Sequence, residues 1–485
     1  SQMATDRALI KSAIKLVETQ EMAPERAIWE AATSFADQMA ALGGYMAERV
    51  TDIHDVRARI VAELTGQQAP GIPVSDEPFI LAAIDLAPAD TATLDPEKVI
   101  ALITSDGGPQ AHTAILARGL GLPAIVAAKG VTEIADGTIV YVDSNEGIVD
   151  TEPTDADREA AIKYANRKPV ADFDGQGVLA DGTRVELYAN VGDGKSAEKA
   201  ASLKAEGVGL LRTEFGFLGH DAEPSIETQA KTYKSVFDAF PGKHIVVRTL
   251  DAGADKPLPF LNVNPEENPA LGVRGFRTDW TVPGVLTRQL EAIKAASENS
   301  DADIWVMAPM ISTTSEARNF ANMLKEIGLP VHGVMVETPA AVMNAEAILG
   351  EVDFVSIGTN DLTQYTMAAD RLLGDLAHLN NPWQPAVLKM IKMTVEGAQR
   401  ASVTAGKKKY VSVCGEAAAD PALAVVLIGL GVDTLSMNAG AIPAVAAVLK
   451  SVTKEKAQQI AAIALQQISS AEAKESARKA LPILD

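Results

Sequence analysis

The sequence predicts a multidomain α/β protein with a partial helical bundle at the N-terminus, a small α/β domain after it, and a (β/α)8 barrel at the C-terminus. Its 485 residues are enough for about three domains of ordinary size. An apolar content of 47% allows large buried cores. Short apolar runs alternate with helical patterns from about residue 172 onward, which is the rhythm of a barrel with alternating strands and helices.

The chain is strongly acidic, with a formal net charge of −21 from 43 Lys and Arg against 64 Asp and Glu. This charge disfavours non-specific binding to nucleic acids or acidic membranes, so an anionic substrate requires a local basic site. The single cysteine, Cys414, allows no disulfide within the chain, which fits a reducing cytosol. The sequence has no apolar run of membrane-spanning length and no signal-peptide pattern, so we expect a cytoplasmic protein.

The first segment, residues 1–66, is predicted to be helical. Apolar residues recur at helical spacing in two runs, Ile10-Ile14-Val17 and Phe35-Met39-Leu42. Two or three helices of this size bury too little surface to form a core alone, so we interpret them as part of a bundle. The Gly- and Pro-rich stretch 66–78 follows as a linker.

A small α/β domain is predicted over residues 76–150. Short strands are expected at 79–84, 99–104, 124–127 and 139–143. A linker at 151–171 follows, and most of it is predicted to be a polar helix, 155–168, with few large apolar residues.

Residues 172–485 are predicted to form the barrel. The expected strands are 185–189, 208–211, 245–249, 304–309, 333–336, 354–357, 411–413 and 434–437. The segment 189–196 (ANVGDGKS) ends like a phosphate-binding loop, but that pattern requires glycine where Ala189 stands. We therefore interpret it as a turn from a strand into a helix.

One histidine of the small α/β domain stands at a predicted helix start. In the segment 107–118 (GGPQAHTAILAR), two glycines follow an apolar strand and His112 lies where a helix begins. Backbone N–H groups and the helix dipole favour an anion at such an end, so this imidazole is well placed to hold a phosphoryl group. The alternative is an ordinary capping or surface histidine. This segment alone leaves both interpretations open.

Charged or reactive side chains follow six of the eight expected barrel strands. In barrels of this type the chemistry takes place where the strands end, at the C-terminal face. The residues there are Asn190, Arg212, Arg248 with Asp251, Glu337, Asn360 with Asp361, Cys414 with Glu416, and Ser436. Polar loops alone predict a mixture of Ser, Asn, Asp and Lys. They do not predict two arginines, two carboxylates suited to a hard cation and the only thiol in the chain, all at one face.

The arginines of this face predict an anion site. Arg212 and Arg248 can each hold a phosphate or carboxylate through two parallel hydrogen bonds. Arg371 and Lys256 add positive charge to the same region. Each cation alone has an ordinary interpretation as half of a salt bridge, so the prediction rests on the set.

The remaining residues of the set predict metal-assisted chemistry. Glu337 and Asp361 are hard oxygen ligands suited to Mg2+ that is completed by waters and substrate oxygens. Asn360 can orient a phosphate oxygen, and Cys414 can supply a proton. With the arginines, these residues describe a site for a small phosphorylated carboxylate.

The chain resembles a known family, Enzyme I of the bacterial phosphotransferase system, whose members are phosphoenolpyruvate–protein phosphotransferases. The resemblance covers the chain from about residue 80 to the end and is weaker over the N-terminal helices. Besides 107–118, the matching segments are 207–215 (GVGLLRTEF), 247–256 (VRTLDAGADK), 266–277 (EENPALGVRGFR), 333–340 (GVMVETPA), 356–371 (SIGTNDLTQYTMAADR) and 413–416 (VCGE).

The resemblance implies a role for each candidate residue. His112 is implied to be the histidine phosphorylated on Nε2, and Cys414 the acid that protonates the pyruvate enolate at carbon. Glu337 and Asp361 are implied to bind Mg2+, with Mn2+ as a possible substitute. The implied phosphoenolpyruvate ligands are Arg212, Arg248, Asn360, Asp361 and Arg371, with Lys256 and Arg277 nearby.

The resemblance also implies partners and movement. The family's C-terminal TIM barrel forms a homodimer, and a small swivelling domain carries the phosphohistidine. The phosphoryl group passes to the carrier protein HPr, which docks on the helical domain, and then to sugar uptake, which we favour over nitrogen regulation. His112 must swing in to accept phosphate and out to pass it on, and the linkers at 66–78 and 150–172 are candidate hinges.

Two departures from the family pattern matter. The family usually has Arg-Thr-Ser before the histidine, whereas this chain has Pro109-Gln110-Ala111. We expect phosphorylation to be slower or less stable than usual, which an Ala111→Ser variant would test through the lifetime of the phosphohistidine. The family's N-terminal strand and first helices are not found in this sequence, which either omits disordered residues or is a fragment. If the segment is truly absent from the protein, we expect barrel chemistry to survive and HPr docking to be compromised.

Two other functions remain as alternatives. A pyruvate phosphate dikinase or phosphoenolpyruvate synthase shares the phosphohistidine domain and the barrel, but requires a large ATP-binding domain, and only 111 helical-looking residues precede His112. A regulatory paralogue that binds phosphoenolpyruvate with weak turnover is the second. Labelling of His112 from ATP would favour the first, and binding without phosphoryl transfer would favour the second.

Overall fold

The chain divides into two compact units, Ser1–Arg167 and Lys168–Asp485. The computed structural model describes residues 7–42, 50–67, 71–73, 75–86, 94–95, 98–106, 113, 117, 122–144, 147–165, 173–218, 220–252, 258–261, 266–298 and 300–484. In the described part of the chain, no helix combines the length and apolar content needed to cross a membrane.

The first unit begins with helices, as predicted. They span Arg7–Gln20, Pro24–Leu42 and Val50–Thr65. Their apolar faces meet around a small core that includes Leu9, Ile28 and Ile53. The Arg57 guanidinium lies 3.8 Å from the centroid of the Trp29 ring, which adds a cation–π contact.

The rest of the first unit contains two small sheets. Strands β1 (Phe79–Ala83), β2 (Val99–Thr104) and β3 (Ala124–Ile125) form a parallel sheet in the order β1-β2-β3. Strands β4 (Tyr141–Asp143) and β5 (Ile148–Asp150) pair antiparallel, and β5 was not predicted. A short 3-10 turn lies at Val131–Glu133, and the predicted polar helix spans Asp155–Ala165.

The candidate phosphorylation site is only partly visible. His112 and the segment 107–112 lie outside the described residues. The next residue, Thr113, is buried, and its hydroxyl donates a hydrogen bond to Asp85 Oδ1 across 2.8 Å. This bond connects the residue after the histidine to Asp85, which lies two residues after the end of β1.

The second unit contains a closed barrel of eight parallel strands, and all eight were predicted. Neighbours pair in chain order, and the last strand closes on the first. The strands are β6 (Glu186–Val191), β7 (Gly207–Arg212), β8 (His244–Arg248), β9 (Asp303–Ala308), β10 (His332–Val336), β11 (Phe354–Gly358), β12 (Tyr410–Cys414) and β13 (Thr434–Met437).

Helices cover the outside of the barrel. They span Gly194–Ser202, Ile226–Phe237, Val285–Ser297, Thr314–Ile327, Pro339–Met343, Ala345–Glu351, Thr359–Met367, Pro385–Ala405, Glu416–Ala419, Pro421–Leu430, Ile442–Leu449, Lys454–Leu465 and Ser470–Lys479. Short 3-10 turns lie at Thr213–Gly216, Pro269–Leu271, Gly275–Trp280, Gly374–Leu376, Ala439–Ala441 and Pro482–Leu484. The Asp193 side chain accepts a hydrogen bond from the N–H of Ser196 as a helix N-cap. This cap confirms that the segment resembling a phosphate loop is a turn from a strand into a helix.

Two layers of apolar side chains fill the barrel and the space around it. One large core fills the space between strands and helices and includes Leu187, Val334 and Ile357. A smaller cluster fills the barrel interior with Leu210, Val246, Met307, Met335 and Cys414. Because all eight strands are parallel, their carboxyl ends meet at one face, where the polar residues described below lie.

Candidate active site at the carboxyl ends of the barrel strands

Two arginines stand side by side at the carboxyl ends of β7 and β8. Arg212 and Arg248 are partners in the register of these strands. Arg248 is only 8% exposed, and its Nη2 donates to Glu214 Oε1 across 2.7 Å. Burial lowers the pKa of Arg248, but the carboxylates of Glu214 and Asp251 outweigh it and raise the pKa above its usual value. Arg248 therefore presents a fixed positive charge.

A third arginine, Arg274, lies in the centre of the carboxylates and was not predicted. It is 3% exposed. Its Nε and Nη2 donate to the two oxygens of Asp251 across 3.1 and 2.7 Å, and its Nη1 donates to Asp361 Oδ1 across 2.8 Å. The same Nη1 donates to the Tyr365 hydroxyl, which itself donates to the Ala270 carbonyl.

The predicted neighbour, Arg277, has a more peripheral position. Its guanidinium donates to the Gly272 carbonyl and to Ser312 Oγ, each across 3.3 Å. The Ser312 hydroxyl is 3.1 Å from that of Thr338, the residue after Glu337. Arg277 therefore reaches the same face of the barrel without touching the central carboxylates.

Glu337 is a fully buried carboxylate with one oxygen available. Its Oε1 accepts a hydrogen bond from the N–H of Met310 across 2.6 Å, and Oε2 has no hydrogen-bond partner among the described residues. Burial raises its pKa to about 8, and the negative charges of Asp361 and Asp251 contribute. The positive charges of Arg274 and Arg248 oppose this shift but do not cancel it.

Glu337 and Asp361 fit a divalent cation. A hard cation prefers carboxylate oxygens, and it would satisfy the buried Oε2 and offset the crowding of negative charge. Among the described residues, no three or more His, Cys, Asp or Glu side chains stand together in ligating positions. These two carboxylates could hold such a cation, with its other positions open to substrate and water.

The helix Thr359–Met367 carries the next two predicted residues at its start. Asp361 Oδ2 lies 3.3 Å from Arg371 Nη1, so Arg371 reaches back to this helix. Its backbone N–H donates to Gln364 Oε1 across 2.9 Å, which fixes the chain there. Asn360 is half-buried in the same first turn, beside Gly415.

Cys414 ends β12 and is 3% exposed. Its Sγ donates to the Ile357 carbonyl with a separation of 3.6 Å. Burial raises the pKa of this thiol above its usual value, although the positive charges of Arg248 and Arg212 oppose the shift. The residue is therefore a protonated thiol at neutral pH, which suits a proton donor.

The structure brings most of the predicted set to one face. Contacts or electrostatic influence link Arg212, Arg248, Glu337, Asp361, Arg371 and Cys414. Lys256 and His112 lie outside the described residues. The side chain of Asn190 is hydrogen-bonded to another strand end, since its Oδ1 accepts a hydrogen bond from the Ser436 hydroxyl.

Three family models match the chain and define its class. The PEP-binding domain of PEP-utilising enzymes matches residues 170–454, their mobile domain matches residues 75–147, and their N-terminal domain matches residues 1–49. Together with the barrel and its charged face, these matches define a PEP-utilising enzyme.

Named relatives identify the family within this class. A phosphoenolpyruvate-protein phosphotransferase of Streptomyces coelicolor is 46% identical over 99% of this chain and 86% of its own length. Proteins of the same name from Haloferax volcanii and Staphylococcus carnosus are 39% and 37% identical, over 93% and 88% of this chain and 81% and 77% of their own lengths. The chain belongs to the phosphoenolpyruvate-protein phosphotransferase family, as the sequence motifs predicted.

Proposed function

We propose that this chain transfers the phosphoryl group of phosphoenolpyruvate to its own His112 and then to an HPr-type carrier protein, the first step of phosphoenolpyruvate-dependent sugar uptake. The observation that carries the proposal is the buried cluster of Arg248 and Arg274 with Asp251, Glu337 and Asp361 at the carboxyl ends of the barrel strands. Membership of the phosphotransferase family supports the same conclusion.

The arginines bind and orient the anionic substrate. Arg212 and Arg248 stand in register and provide two planar guanidiniums for phosphoryl or carboxylate oxygens. Arg371 and Asn360 approach from the helix Thr359–Met367, and we assign Lys256 and Arg277 to the outer part of the same site. Because Arg248 is buried and paired with Glu214, and Arg371 is paired with Asp361, these two cations neutralise developing charge without reorganising first.

A divalent cation completes the site. Glu337 and Asp361 would hold Mg2+, or Mn2+ in its place, and the ion would supply positive charge to substrate oxygens. The available Oε2 of Glu337 supports this assignment.

Cys414 completes the chemistry at the pyruvate end. In the transfer, the bond between phosphorus and the enol oxygen breaks and a bond from phosphorus to His112 Nε2 forms. The pyruvate enolate left behind then takes a proton at its terminal carbon from the Cys414 thiol. The raised pKa of that thiol keeps it protonated until the enolate forms.

We assign four segments to this function. Residues 1–66 are the helical HPr-docking segment, 76–150 the swivelling phosphohistidine domain, 151–171 the linker, and 172–485 the phosphoenolpyruvate-binding and dimerisation barrel. The protein is proposed to be a cytoplasmic homodimer.

Peptide mass spectrometry tests the proposal. The chain is mixed with phosphoenolpyruvate and Mg2+ without ATP, and a His112→Ala variant is the control. We expect an acid-labile phosphate on the His112 peptide that is absent from the control. Adding HPr then tests separately whether the phosphate is passed on. Binding of phosphoenolpyruvate without any label would favour a regulatory protein, and a label that requires ATP would favour a dikinase.

A further inference from the structure

A buried glutamine outside the charged cluster connects the two arginine strands. Gln289 lies on the helix Val285–Ser297 and is only 1% exposed. Its Nε2 donates to the hydroxyls of Thr213 and Tyr233, each across 3.0 Å. Its Oε1 accepts from the N–H of Leu250 across 2.8 Å. One side chain thus joins the residues that follow β7 and β8.

The hydrogen bonds fix the orientation of this amide. The N–H of Leu250 can only donate, so the oxygen of Gln289 must face it and both N–H protons must point to the hydroxyls. Thr213 then donates its own proton to the Arg248 carbonyl across 2.9 Å. On the far side, the Tyr233 hydroxyl donates to Gln229 Oε1 across 3.1 Å. Each donor and acceptor role in the network is therefore assigned.

The network acts on the arginines through the backbone. Thr213 directly follows Arg212, and its hydroxyl holds the carbonyl of Arg248. Leu250 lies two residues after Arg248 and is held by the same glutamine. Glu214, the residue after Thr213, forms the ion pair with Arg248. Gln289 thus holds the chain next to both arginines, and its hydrogen bonds among the described residues go to Leu250, Thr213 and Tyr233 rather than to either guanidinium.

We propose that Gln289 is a positioning residue that sets the spacing of Arg212 and Arg248 for the phosphoryl group of phosphoenolpyruvate. The inference rests on the proposed function. Without the glutamine amide, the Leu250 N–H loses its acceptor and the Thr213 hydroxyl loses a donor, and the strand ends shift to find new partners. Because the arginines follow these backbone shifts, the loss falls on substrate binding as well as on folding.

Variants of similar side-chain size test the inference. In a His112→Ala background, so that binding occurs without transfer, the dissociation constant for phosphoenolpyruvate is measured with Mg2+ present. We expect Gln289→Met to raise it about tenfold or more, the effect of losing a buried hydrogen bond in this network. Gln229→Met is the matched control, because Gln229 is also buried (3% exposed) but lies at the far end of the network. It is expected to lower the unfolding midpoint and leave the dissociation constant within about twofold.

A second pair of variants keeps the test decisive if Gln289→Met fails to fold. Thr213→Val removes the hydroxyl at nearly constant volume, and Thr213→Ser keeps it. We expect weak binding with valine and near-normal binding with serine. Equal dissociation constants for the two would overturn the inference, as would unchanged binding in a folded Gln289→Met or an equal loss in Gln229→Met. If the background with an intact Gln289 binds no phosphoenolpyruvate, the proposed function itself is wrong and the inference falls with it.

Discussion

Glu337 and Met310, on neighbouring parts of the barrel, share a hydrogen bond of 2.6 Å that uses only one oxygen of the carboxylate. The second oxygen is buried and has no hydrogen-bond partner in the described part of the chain. Removing a carboxylate from water without a partner is unfavourable, and this one is also close to Asp251 and Asp361. A bound cation, as proposed above, would satisfy this oxygen and offset the crowded negative charge.

The first prediction concerns the cation. Adding Mg2+ should raise the thermal unfolding midpoint of the chain, because a ligand that binds only the folded state stabilises it by about 2.7 kcal/mol at a concentration of 100 times its dissociation constant. Glu337→Gln should remove most of this stabilisation, since the amide has no charge for the ion. Differential scanning fluorimetry over a series of Mg2+ concentrations measures both. Equal Mg2+ responses in the two proteins would contradict the assignment.

The second prediction concerns the glycine beside this carboxylate. A Cβ at Gly358 would lie 2.7 Å from Glu337 Oε2 and 2.9 Å from Met335 Cε. Gly358→Ala should therefore displace the carboxylate, weaken the Mg2+ response and destabilise the fold by about 1–3 kcal/mol. Gly350→Ala is the control, because a Cβ there meets nothing within 4 Å. Urea unfolding with and without Mg2+ measures both effects. Equal losses of stability and equal Mg2+ responses in the two variants would contradict this prediction.

The third prediction concerns Arg274. Replacing it by methionine leaves Asp251 and Asp361 buried without their main counter-charge, which is expected to reduce the free energy of unfolding by about 3–5 kcal/mol. The control Arg400→Met breaks an exposed pair with Glu346 and should leave stability nearly unchanged. Chemical denaturation distinguishes the two. A loss no larger for Arg274→Met than for Arg400→Met would mean that the central cluster is not held by this arginine.

The fourth prediction concerns pH and the opposite end of the barrel. Asp353 precedes β11, with Oδ2 2.9 Å from His332 Nδ1 and Oδ1 2.7 Å from Lys407 Nζ. Burial raises its pKa, but these partners outweigh burial and hold the pKa below its usual value. The resulting stability is present above the pKa of about 3.9 that an unfolded aspartate has, and is lost as pH falls through the folded value.

Asp353→Asn should therefore lower the free energy of unfolding at pH 7, and the difference from the unsubstituted chain should shrink as pH falls below about 4. Urea unfolding at several pH values measures it. Because this residue lies at the amino ends of the strands, binding of phosphoenolpyruvate at pH 7 should be unaffected. A stability difference that persists unchanged into acid would rule out this explanation.

The barrel was predictable because its signal is local. Strands such as β7 and β11 are short, mostly apolar runs that are almost entirely buried, and the helices between the strands show their own periodicity. The hairpin strand β5 was missed because three residues, Ile148–Asp150, carry too little pattern. The phosphohistidine segment and Lys256 were predicted from motifs and stay predictions.

The geometry of the site was less predictable because it depends on contacts between distant segments. Arg274 and Arg277 are three residues apart, and a positive φ of 58° at Gly275 turns the chain between them. This turn leaves Arg274 among the carboxylates and Arg277 beside Ser312. Gln289 did leave a sequence signal, since it lies between Leu286 and Ile293 at helical spacing on a buried face.

The most direct test of phosphoryl transfer needs no carrier protein. Isotope exchange between labelled pyruvate and phosphoenolpyruvate, measured with the purified chain and Mg2+, requires both reversible phosphorylation of His112 and proton transfer at the pyruvate carbon. We predict exchange without ATP that is lost in His112→Ala and reduced at least about a hundredfold in Cys414→Ala. Absence of exchange in a chain that binds phosphoenolpyruvate, or exchange that survives in His112→Ala, would contradict the account.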